Sequence, residues 1–85
     1  IRAMARILNS YEGRGVITLA QIVNTWAPPM ENNTGAYVTH LARLLNIAPN
    51  DRVNDRAGLI AGIIKHENGQ QPYSMTTIQK GVSLA

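Results

Sequence analysis

Glu67 is the residue whose setting could do chemistry. In the stretch IIKHENGQQPYS, residues 63–74, an apolar helical stripe runs into this glutamate, then a glycine stop, then a Pro-Tyr turn. Ile60, Ile63 and Ile64 precede it at helical spacing, so its carboxyl starts from the apolar side of a helix. It falls in the last turn, where the helix dipole disfavours negative charge. Partial burial and that dipole both favour a protonated carboxyl. A glutamate that keeps its proton is the general acid of glycosidic cleavage, which protonates the departing sugar oxygen. The reaction needs a second carboxylate, about 5–5.5 Å away in a retaining mechanism and about 6.5–9.5 Å away in an inverting one. Glu31, beside the loop that follows Trp26, is the best candidate. Trp26, Tyr37 and Tyr73 could supply a shelf for stacked sugar rings.

The expected role of Glu67 is nevertheless architectural. The loops WAPPMENN and NGQQPYS carry many backbone N–H groups that no helix satisfies, and a nearby carboxylate can accept two of them. On this reading Glu67 is a buried or half-buried acceptor that caps such donors or pairs with a cation. The same logic makes Trp26, Tyr37 and Tyr73 core aromatics with one polar edge wet. His66 should point about 100° away from Glu67 around the helix and face solvent. His40 lies beside an inner stripe and reads as boundary packing. Pro28 and Pro29 read as a rigid turn, and the basic residues as mainly a solvated face. Two histidines cannot close a zinc site, and no two carboxylates join them at ligand spacing, so neither metal nor cofactor is expected.

These residues are positioned by an expected all-α fold, a compact bundle of four to five short helices forming a single domain over residues 1–85. Ile1, Met4, Ala5, Leu8 and Tyr11 recur at helical spacing, and Gly13 and Gly15 end that segment. Thr18 and Gln21 form a capping-box pair ahead of the stripe Leu19, Ile22, Val23 and Trp26. The second helix must stop near Trp26, because Ala27 precedes Pro28 and is pushed out of helical geometry. Asn32, Asn33 or Thr34 can cap a third helix lined inside by Tyr37, Val38, Leu41, Leu44 and Leu45, with Asn46 as its stop. A fourth starts after Asn54 or Asp55, carries Leu59, Ile60, Ile63 and Ile64, and ends at a left-handed Gly69. A short fifth follows Ser74, with Ile78 and Val82 inward.

Composition narrows the function classes. With no cysteine the chain has neither disulfides nor thiolate metal sites. Its formal charge of +3 comes from eight Lys and Arg against five acids. These cations are scattered singly, so nucleic acid is not the expected partner. No apolar run approaches the ~20 residues of a membrane span. The chain begins at Ile1 inside a helical pattern, as a fragment or processed product would.

Three stretches, IRAMARILNSYE, IVNTWAPPMENNTGAYVTHLARLLNI and LIAGIIKHENGQQPYS, occur here in that order. They resemble a family of small phage and prophage virion structural proteins, in which WAPPxEN, TxAY and HENGxQPYS recur together with similar separations. The motif residues in this chain are Trp26, Pro28, Pro29, Glu31, Asn32, Tyr37, His66, Glu67, Asn68, Gly69, Pro72 and Tyr73. In that family an N-terminal segment with an Asn-Pro-Gly-Asn-Ile motif precedes the region seen here, so the chain is expected to be the C-terminal part of a longer phage protein. Its connection NDRVNDRAGL is shorter than the family's LDLxDPxTL type of loop. The resemblance implies residence in a virion, with the host cytoplasm as the location before assembly, and other virion proteins or another copy of the chain as partners.

IIKHENG also resembles the glutamate-bearing helix end of goose-type lysozymes and lytic transglycosylases, which would make peptidoglycan the substrate. Those enzymes continue into a cleft-forming lobe with a Gly-Leu-Met-Gln type motif. Residues 68–85 contain no such motif and no acid. The expected function is therefore a non-catalytic virion assembly module, with a peptidoglycan-cleaving domain using Glu67 as the alternative.

Overall fold

Helix termini are fixed by side chains that accept the backbone donors a helix leaves free. A computed structural model of the chain describes residues 1–30 and 33–85. Among these residues five helices follow one another: α1 Arg2–Gly13, α2 Leu19–Trp26, α3 Thr34–Leu45, α4 Arg56–Asn68 and α5 Met75–Ser83. The expected all-α class is what is observed.

The capping box of α2 is complete. Thr18 Oγ1 accepts from the Gln21 amide at 3.2 Å, and Gln21 Oε1 accepts from the Thr18 amide at 3.1 Å. The next free donors of α2 go to a distant loop, since the amides of Leu19 and Ala20 donate to the carbonyls of Asp51 and Pro49. The connection between α3 and α4 thereby docks on the start of α2, with one antiparallel bridge between Thr18 and Arg52. Asn33 caps α3, its side chain accepting from the Ala36 amide. Asn32 lies outside the described residues. Asn46 stops α3 with φ 54°, a left-handed conformation that asparagine tolerates, and Gly69 stops α4 at φ 76°.

Asp55 caps α4 by accepting from the Gly58 amide at 2.9 Å. Replacing it with alanine is expected to cost about 1 kcal/mol. In thermal unfolding that corresponds to a drop of roughly 4–8 °C for a domain of this size. An unchanged midpoint would mean that water replaces the cap without loss.

α4 is the centre of the bundle, packing against α3, α5 and α1, while α2 packs on α3. Its buried residues, Ala57, Leu59, Ile60, Gly62, Ile63 and Ile64, occupy most of its circumference because neighbours cover it on several sides. Ala5, Leu8, Leu19, Val23, Leu41 and Ile78 close the same core. Leu44 departs from the expected inner stripe of α3: it is 47% exposed, because α4 covers only the neighbouring face. The basic residues are not all solvated either. Arg52 and Arg56 both reach Glu12 at the end of α1, at 2.8 and 3.1 Å, and the Arg56 side chain is only 17% exposed.

Candidate functional site

The end of α2 places the first component. Trp26 is the last residue of α2, held there because Ala27 leaves helical geometry at φ −129° ahead of Pro28. Thr34, buried at the start of α3, donates its hydroxyl to the Ala27 carbonyl at 2.8 Å. That bond ties the beginning of α3 to the end of α2 and sets Tyr37, one turn further, near the indole. His40 follows Tyr37 by one turn of α3. From the other side, the last turn of α4 brings His66 and Glu67.

These five side chains form one chain of contacts. Glu67 Oε2 accepts from Trp26 Nε1 and from the Tyr37 hydroxyl, each at 3.2 Å. The Tyr37 ring stacks on His66 with centroids 3.8 Å apart and planes inclined by 27°. His66 Nδ1 in turn lies 2.8 Å from His40 Nδ1. Three helices are joined: α2 through the indole, α3 through the phenol and one imidazole, α4 through the carboxylate and the other imidazole.

Burial orders the electrostatics of the cluster. Tyr37 is 4% exposed. Its phenol is pushed well above the ordinary tyrosine range, first by burial and then by the Glu67 charge and the hydrogen bond to it. It therefore remains a donor at every physiological pH. The His66 imidazole is pushed down by burial and by His40, and Glu67 offsets part of that shift.

Several expectations are corrected by this arrangement. Glu67 is exposed, and among the described residues its donors are two side chains, with neither a backbone amide nor a cation. In the turn after α4 the Gly69 amide donates to the Lys65 carbonyl and the Tyr73 amide to the Gln71 side chain. His66 is half-buried and not turned wholly to solvent, because its ring packs against Tyr37 and His40 between α3 and α4. Tyr73 is 48% exposed and is no core aromatic, since it sits in the turn before α5 beyond the last apolar layer. Trp26 packs against the core but is only partly buried. Pro28, Pro29, Asn68, Gly69 and Pro72 are all exposed. The contribution of His40 is legible only as a shared helix face with Tyr37; its partner across the seam is not.

A depression of about 350 Å³ opens beside the cluster, lined by Asn33, Ala36, Tyr37, His66 and Glu67. None of the other described acids lines it. Glu12 is held by the two arginines, Asp51 accepts from the Ala48 amide at 2.8 Å, and Asp55 caps α4. Glu31, the expected second carboxylate, lies outside the described residues. Among the described residues there is also no group of three or more His, Asp or Glu able to hold a metal ion, and no helix long and apolar enough to cross a membrane.

No family model matches the chain. It is similar to a phage protein: over 84 residues it is 38% identical to Protein P5 of Pseudoalteromonas phage PM2, an alignment that takes in 95% of this chain and 52% of that relative. The chain thus spans about half the length of the curated relative it matches.

Proposed function

We propose that the chain is a non-catalytic structural module of a phage virion, a single helical domain that packs against other virion proteins or further copies of itself. The observation that carries this reading is the use made of Glu67. Its Oε2 holds the ends of α2 and α3 to the end of α4 through Trp26 and Tyr37. A carboxylate employed as a shared acceptor between helices fastens the bundle, whereas a general acid has to present a proton to a departing oxygen. Similarity to a phage protein supports the virion as the destination, with the host cytoplasm as the place of synthesis.

The depression beside Glu67 favours one alternative, a peptidoglycan-cleaving domain in which Glu67 is the acid and Glu31 its partner. Glu67→Gln separates the two. A structural Glu67 leaves purified cell walls intact in both wild type and variant, and the variant enters particles as well as the wild type. Because the residue is exposed, its stability cost is at most about 1 kcal/mol. Release of glycan fragments by the wild type, abolished in Glu67→Gln, establishes the enzyme instead.

A further inference from the structure

A hydrogen bond between two imidazole nitrogens needs one N–H and one bare lone pair. The 2.8 Å contact between His40 Nδ1 and His66 Nδ1 therefore survives only while at least one ring is neutral. With both rings protonated, two N–H groups and two positive charges face each other across the α3–α4 seam. We infer that the His40–His66 pair is an acid-sensitive latch, whose double protonation parts α3 from the end of α4 and loosens the Tyr37–Glu67–Trp26 contacts attached to it.

The surroundings decide whether acid opens the pair or merely shifts it. From α3 the neighbours are Tyr37, a permanent donor, and exposed Arg43 one turn beyond His40. From α4 they are exposed Lys65 and Glu67. α2 brings Trp26 and has no titratable side chain. α5 has Lys80 as its titratable residue, and α1 has Arg2, Arg6, Tyr11 and Glu12. Of these groups, His40 disfavours the His66 cation and Glu67 favours it. Glu67 favours the cation, but burial and His40 outweigh it, so the folded state favours neutral His66.

The sign follows from proton counting. In the unfolded chain a histidine titrates near its ordinary value of about 6.5. Below that the unfolded chain binds more protons than the fold does, so stability is complete above about pH 6.5 and falls as pH drops toward the lower folded value. Ordinary carboxylates titrate lower, near about 4, which keeps the two windows apart. The stacked Tyr37 ring passes the displacement to Glu67 and so to Trp26, the one tryptophan in the chain and a built-in fluorescent reporter.

The full chain is titrated from about pH 8 to about pH 5 while Trp26 emission and the thermal midpoint are followed, with imidazole resonances recorded by NMR. The latch predicts an emission change and a midpoint lowered by roughly 5 °C or more in that window. It also predicts two separated imidazole steps, as coupled sites give. His40→Gln, which removes one of the two charges, should at least halve the acid response. Flat emission, a single imidazole step at the ordinary histidine value, or an undiminished response in His40→Gln overturns the latch. If His40→Gln does not fold, the wild-type resonances and emission decide the matter.

Discussion

Leu41→Ala is expected to destabilise the protein by about 2–5 kcal/mol, the cost of emptying a fully buried leucine site. For a chain of this length the total stability lies in the range of roughly 4–13 kcal/mol, so the variant could lose a large share of it. Leu41 is 0% exposed, and its side chain fills the α3–α4 seam over Gly62. A Cβ at Gly62 would overlap Leu41 Cδ2. The leucine is fully buried, so packed neighbours resist its moving aside. Gly62→Ala alone should therefore cost about 1–3 kcal/mol through overpacking, although alanine is the better helix former.

The same geometry predicts a strong coupling between the two sites. In the Leu41→Ala background the added methyl enters the vacated space, so Gly62→Ala should become neutral or stabilising. A double-mutant cycle by chemical denaturation measures this coupling, expected at about 1–3 kcal/mol. Strictly additive effects would mean that Gly62 is not where α3 and α4 approach most closely.

Trp26→Ala is the second large effect, expected at about 2–3 kcal/mol. A wholly enclosed tryptophan loses about 3–5 kcal/mol on truncation to alanine. Trp26 keeps part of its surface in water, which lowers the loss. Trp26→Phe retains the packed ring and removes only the Nε1–H bond to Glu67, so it should cost no more than about 0.5–1.5 kcal/mol. Because Glu67 is exposed, water can take up the freed lone pair. If Trp26→Phe proved as damaging as Trp26→Ala, the indole hydrogen bond, and not the packed ring, would be what holds the α2 end.

Local signals were legible where a helix terminus is fixed by neighbouring residues. Thr18 with Gln21, Asn46, Asp55, Gly69 and Ser74 all act at the places their spacing indicates, because a cap joins atoms only three or four residues apart. The α4 stripe was equally readable, since four aliphatic residues at helical spacing have to be covered. Leu44 was misjudged for the converse reason: an apolar residue at the edge of a stripe is buried only if a neighbouring helix extends over it. Periodicity does not carry that information. Tyr73 failed in the same way.

At the candidate site the sequence located Glu67, Trp26 and Tyr37 but assigned Glu67 the wrong donors and His66 the wrong surroundings. A carboxylate in a last turn can meet amides, cations or side chains, and which it meets depends on what the crossing helices bring alongside. The sequence by itself determined a bundle of four to five helices, most of their caps and the residues that must be covered, because these depend on contacts within one or two turns. Only the tertiary structure decided that His40 meets His66, that Tyr37 stacks on the His66 imidazole while donating to the Glu67 carboxylate, and that Glu12 draws in Arg52 and Arg56. These partners stand 26 to 44 positions apart in the chain. Their meeting is set by the angle and depth at which the helices pack on α4 and on one another, which no local pattern encodes.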